Sequence, residues 1–195
     1  MSQFMSSKYF DVLEALLDND PEISWSAYKD RMAELGCDTL LYVYVDTITP
    51  EADENAFIYK STVSDGWFEH YFKEDHHLLD HVFQRRTISG IETPLWLGSE
   101  VKQPEGFENK HFSEHSSQAG QAGFRACINY KMSNNARRAD SDIFAMTIGT
   151  TGTTDDLKNS LASNGREIRL LTNLMHTIIS LVPPLRVSRR GKKNA

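Results

Sequence analysis

Trp67, Tyr71, Asp80 and Trp96 stand among apolar residues in the stretch GWFEHYFKEDHHLLDHVFQRRTISGIETPLWLG. Trp67 and Tyr71 are four positions apart, so on a helix they share one face and can close over one ligand. Two aromatics with polar tips, a carboxylate and a second indole suit a small, mostly apolar molecule with a polar head. Asp80 is flanked by Leu78, Leu79, Val82 and Phe83. A carboxylate facing an apolar interior is costly unless paired, so it calls for a specific partner, and a ligand N–H would serve. The same residues admit a plainer reading, in which Asp80 caps a helix at its solvent end and Trp67 fills the core.

The elements that must position them follow from periodicity and punctuation. Tyr9 to Leu17 has helical spacing, and Asn19-Asp20-Pro21 breaks it. A second helix starts at Ser24 and runs through Met32 and Leu35 to a stop at Gly36. Thr39 to Thr47, rich in β-branched and aromatic residues, reads as a strand buried on both faces, and Phe57 to Lys60 as a second one. Ser64-Asp65 caps the helix of Trp67 and Tyr71, and Leu78 to Arg86 forms another that holds Asp80, Val82 and Phe83. Lys110 to Ala122 is helical, Phe124 to Met132 and Asp142 to Gly149 are strands joined through a turn at Asn134-Asn135-Ala136, and Asp155 to Leu181 is a long amphipathic helix. The pattern predicts an α/β fold, an α/β/α sandwich around a central antiparallel sheet with helices on both faces.

Composition narrows the function. The chain has 195 residues, a formal net charge of -6 and 39% hydrophobic residues, which fits one folded domain and excludes a disordered chain. Its acidic balance argues against a body that binds nucleic acid. The basic run RVSRRGKK from Arg186 to Lys193 follows Pro183-Pro184 and reads as a tail. Cys37 and Cys127 lack CxxC spacing, no apolar leader opens the sequence and no apolar run is long enough for a membrane span, so a cytoplasmic protein with reduced thiols is expected. His77 with His81, and His111 with His115, have i, i+4 spacing but no HExxH glutamate. Neither a GxSxG elbow nor a GxxxxGK[ST] loop is present. No catalytic residue, metal or cofactor is expected.

The spacing W-x3-Y-x8-D in Trp67, Tyr71 and Asp80, followed by the PLW segment at Trp96, resembles the autoinducer-binding domain of LuxR-type quorum-sensing receptors. GFRACINY at Gly123 to Tyr130 and IFAMTIG at Ile143 to Gly149 are similar to that family's paired central strands. The resemblance covers Tyr9 to Leu181. It implies a buried N-acyl-homoserine lactone, with the Trp67 indole N–H donated to the lactone carbonyl, the Tyr71 hydroxyl to the amide carbonyl, and Asp80 accepting the amide N–H. It also implies that Trp96 packs on the lactone ring, while Tyr59, Phe72, Val82 and Phe83 contact ring or chain.

Several positions depart from the family pattern. Asp80-His81 replaces Asp-Pro, Cys127 replaces a glycine, Lys131 replaces a proline, and Val63 stands where relatives often carry a tyrosine. These bear on acyl-chain specificity and leave the three polar groups in place. Residues 1–182 then form the sensor domain and 183–195 a basic tail or truncated linker. The family's helix-turn-helix domain is not in this sequence, so the expected partners are the autoinducer and a second receptor chain, as a homodimer or a heterodimer with a full-length relative. Direct DNA binding by this chain is not expected. Two other functions remain open: a sensor of the same fold for a different small molecule, and a ligand-free dimerisation module.

Overall fold

The computed structural model describes residues 13–14, 20–45, 57–74, 95–99, 110–132 and 143–181. In chain order the elements are α1 (Pro21–Glu34), β1 (Thr39–Val45), β2 (Phe57–Ser61), α2 (Asp65–Lys73), β3 (Leu95–Leu97), α3 (Lys110–Gln121), β4 (Ala126–Met132), β5 (Ile143–Thr150) and α4 (Thr154–Leu181). The five strands form one sheet in the order β2-β1-β5-β4-β3, and every neighbouring pair is antiparallel.

Strand alternation gives the sheet two apolar faces. Leu40 and Tyr42 of β1, Ala126, Ile128 and Met132 of β4, and Phe144, Met146 and Ile148 of β5 point one way, into the main core. There they meet Trp25, Tyr28 and Met32 of α1, and Leu157, Ile168, Leu171 and Met175 of α4. Leu41 and Cys127 point the other way, into a smaller core with Val63 before α2, Phe68 and Trp67 of α2, Ala119 of α3, and Ala122 and Phe124 just after it. The helix layers expected on both faces are thus present. The double burial expected of the first strand is met in part: Leu40 and Tyr42 are buried in the main core, while Leu41 and Val43 on the other face are half-buried.

Polar contacts fix the main core as well as burial does. The Tyr28 hydroxyl lies 3.1 Å from Thr172 Oγ1, whose own proton goes to the Ile168 carbonyl at 2.7 Å. The Tyr42 hydroxyl is 3.0 Å from His176 Nδ1, and Arg31 joins α1 to Glu167 of α4 at 2.7 Å. Burial without these partners would cost each group about 1 to 3 kcal/mol.

Two local expectations change. Asn19-Asp20-Pro21 is a start signal for α1 as well as a break: the Asp20 carboxylate accepts the Glu22 N–H at 2.8 Å and Pro21 occupies the first turn, where its missing N–H costs nothing. The segment around Trp96, read only as an aromatic motif, is an edge strand paired with β4. The helices proposed over Tyr9 to Leu17 and Leu78 to Arg86 fall outside the described residues, except 13–14, which are helical. The turn at Asn134 to Ala136 also falls outside them.

Candidate functional site

The second face of the sheet carries the site, and the link from β2 to α2 sets its roof. Thr62 is bound to β1 twice, its N–H donating to the Leu40 carbonyl at 3.0 Å and its Oγ1 accepting the Leu40 N–H at 2.9 Å. The Val63 N–H donates to Ser61 Oγ at 2.9 Å, and α2 begins two residues later, anchored to the sheet at its first turn. With 3.6 residues per turn, Trp67, Phe68 and Tyr71 then share the face turned to the sheet. Phe68 and Tyr71 are buried and Trp67 is half-buried.

These rings form one cluster. The centroids of Trp67 and Tyr71 are 5.0 Å apart at 30°, those of Trp67 and Phe68 4.9 Å apart and edge to face, and those of Trp67 and Phe124 5.1 Å apart. Phe124 is held by the turn after α3. Gly123 takes φ 112, a left-handed conformation that side chains resist, and its carbonyl accepts from Thr39 Oγ1 at 2.9 Å. The next N–H, of Phe124, reaches back to the Ala119 carbonyl at 2.8 Å.

The floor beneath the cluster contains a polar pair. Asn129 stands opposite Thr147, which stands opposite Leu41, so all three share the second face. Asn129 Nδ2 donates to Thr147 Oγ1 at 2.9 Å, and the two residues are 5% and 3% exposed. Among the described residues, no acceptor meets the Thr147 hydroxyl proton. Cys127 lies beside them, and burial, reinforced by the nearby Asp38 charge, raises its thiol pKa well above the ordinary value. The thiol stays neutral and weakly nucleophilic. Aromatic walls, a polar pair on the floor and a neutral thiol can hold an uncharged amphiphile, supplying hydrogen bonds to its head and apolar contact to its chain.

The sequence-derived residues distribute unevenly. Trp67 and Tyr71 come together as their spacing implied. Trp96 goes elsewhere: it pairs with Ile128, which faces the main core, while its neighbours Leu95 and Leu97 pair with Asn129 and Cys127. Register therefore places Trp96 on the sheet face opposite Trp67 and Tyr71, and it is 37% exposed. The Tyr59 backbone pairs with Val43, and Phe72 lies on α2. Asp80, Val82 and Phe83 lie outside the described residues, as do His77 and His81. Sequence reading missed Asn129, Thr147, Phe68 and Phe124. Strand alternation from Cys127 would have placed Asn129 on its face.

Residues 20–90 match the family model for the autoinducer binding domain. That span includes Trp67, Tyr71 and Asp80. Over that stretch the chain is similar to an autoinducer binding domain. Its fold is that of several solved proteins. One is the N-acylhomoserine lactone dependent LuxR family factor CepR2 from Burkholderia cenocepacia, with TM-score 0.67 and 13% identity over 89% of this chain and 94% of that one. SdiA in complex with octanoyl-rac-glycerol gives TM-score 0.60 and 11% identity over 100% of this chain and 73% of that one. The VqsR LBD domain from Pseudomonas aeruginosa gives 0.55 and 11%, over 90% and 96%. At such identities the likeness establishes the fold of the domain. No curated protein matches the sequence. Among the described residues, no helix of the domain is long and apolar enough to cross a membrane, and no cluster of three metal-ligating side chains occurs.

Proposed function

We propose that this autoinducer-binding domain senses an N-acyl-homoserine lactone, held between the second face of the sheet and α2 and α3. The observation that carries the reading is the pairing of the Trp67 and Tyr71 rings, 5.0 Å apart, on the side of the sheet that holds the buried Asn129–Thr147 pair. The ligand presents an amide N–H and two carbonyls. Trp67 and Tyr71 each bring one donor and Asp80 one acceptor, so the set matches with nothing left over. The Thr147 hydroxyl adds a second donor at the floor for the amide carbonyl, whose oxygen has two lone pairs. Phe68 and Phe124 contribute apolar contact to the chain, with Tyr59, Phe72, Val82 and Phe83 as further contacts. The packing of Trp96 on the lactone ring is not part of this reading, because its backbone pairs with Ile128 of the main core.

Binding energy of this kind reaches the rest of a receptor through stability. A ligand that engages only the folded state at one hundred times its Kd adds about 2.7 kcal/mol, a shift of several degrees in Tm for a domain this size. The test is a Tm series against lactones of graded chain length, repeated on Trp67→Phe and Asp80→Asn. Trp67→Phe leaves the lactone carbonyl without its donor, and Asp80→Asn exchanges a charged acceptor for a neutral amide oxygen; each should cost about 1 to 3 kcal/mol, roughly tenfold to a hundredfold in Kd. Variants that fold and bind as the parent does would remove the polar assignment. Dimerisation, with a second copy or a full-length relative, is read separately by co-purification with and without the lactone.

A second reading has one observation in its favour. SdiA has this fold and is seen in complex with octanoyl-rac-glycerol, an amphiphile with no lactone ring. A monoacylglycerol that shifts Tm when no lactone does would establish that alternative.

A further inference from the structure

Gln118 on α3 carries an anomaly. Among the described residues, its Oε1 is the single buried side-chain oxygen or nitrogen that meets no hydrogen-bond partner. A buried acceptor left unmade is destabilising, and such groups in native proteins mark a missing partner.

Its place on the helix says where that partner lies. Ala119 and Ala122 face the second core, and Gln118 is one turn before Ala122 on the same stripe. Gly120 is on the opposite flank of α3, against the end of β3, where an added Cβ would fall 2.3 Å from Ser99 Oγ. Ser117 and Gln121 are the exposed positions. At 100° per residue Gln118 lies about 160° from Gly120 and about 40° from Ala122, which places it on the flank of α3 away from the β3 edge and beside the stripe that meets the second core.

We propose that Gln118 reads a hydroxyl group on the ligand's acyl chain, its Oε1 accepting the hydroxyl proton. The inference rests on the lactone reading and sharpens it. In that reading the amide N–H goes to Asp80, and an unsubstituted or ketone-bearing acyl chain has no other donor to offer. A hydroxyl is the group that supplies one. The ligand class is thus a hydroxyacyl-homoserine lactone.

The experiment compares three lactones of one chain length by Tm and by calorimetric Kd: unsubstituted, ketone-bearing at the third carbon, and hydroxylated at the same carbon. The hydroxylated probe should bind about tenfold tighter than the other two, equivalent to about 1.4 kcal/mol. In Gln118→Met or Gln118→Leu that advantage should vanish while the unsubstituted lactone binds as before. The ligand-free Tm of either variant should equal or exceed the parent's, because an orphaned acceptor has been removed. Equal affinities for the three probes in the parent overturn the inference without any variant. A hydroxyl preference that survives both substitutions, as expected if a water is Gln118's partner, also overturns it. If no lactone binds at all, the lactone reading itself fails, and this proposal falls with it.

Discussion

At the scale of single residues, the second face is tight where β4 and β5 cross beneath the site. A Cβ added to Gly149 would lie 2.3 Å from Cys127 Sγ and 2.7 Å from the Ala126 carbonyl oxygen. The sulfur of Cys127, which stands where the related pattern has glycine, occupies the space that Gly149 leaves open. Gly149→Ala should therefore destabilise the fold by about 1 to 3 kcal/mol in urea unfolding. Adding Cys127→Gly should recover part of that loss, since the clash with the Ala126 carbonyl remains, and a double-mutant cycle measures the coupling. Full additivity of the two substitutions would contradict the contact. Thr147→Val probes the neighbouring pair. It keeps the shape but removes the acceptor of Asn129 Nδ2, and should lower stability by about 1 kcal/mol. If Thr147 also donates to the ligand, affinity should fall in addition, as a Kd series on the same variant reports.

At the scale of elements, α4 is the longest helix described, with 28 residues, and its first turn is closed by reciprocal bonds. Thr153 Oγ1 accepts the Asp156 N–H at 3.2 Å, while the Asp156 carboxylate accepts the Thr153 N–H at 2.8 Å and its hydroxyl at 2.7 Å. Those bonds hold the Asp156 carboxyl below its ordinary pKa. Thr153→Ala should cost about 1 kcal/mol, read as a fall in Tm without loss of helical signal. The cap also explains what sequence made legible. Helices and strands announced themselves by local chemistry: caps at Ser64 and Asp65, a stop at Gly36, β-branched runs at Thr39 and Ile143. Trp67 and Tyr71 were readable as a pair because four residues on a helix is a local spacing. Trp96 was not, because its face depends on the pairing of a three-residue edge strand with β4, a non-local fact that a shift of one residue would invert. Asn129 and Thr147 are 18 residues apart in sequence, and only the β4–β5 register makes them neighbours. Asp20-Pro21 was ambiguous because the same dipeptide ends one helix and begins the next.

At the scale of the whole molecule, one sheet separates two cores, and each buries a neutral acid that solvent would ionise at high pH. Cys37, fully buried beside the main core, has its thiol pushed from 9.0 to about 12, chiefly by burial and secondarily by the Asp38 charge. Cys127 in the second core and Tyr28 in the first are raised further still, again mainly by burial. In each case the folded pKa exceeds the unfolded one, so above the unfolded value the folded state holds a proton that the unfolded state has lost. Stability is then full below about pH 9 and falls as pH rises toward the folded values, by up to about 1.4 kcal/mol per pH unit for each group that titrates. Urea unfolding from pH 7 to 10.5 should show a plateau that turns downward near pH 9, and Cys37→Ala and Cys127→Ala should each flatten the descent. A curve that stays level to pH 10.5, or one whose slope ignores both substitutions, would show that these thiols reach solvent in the folded protein.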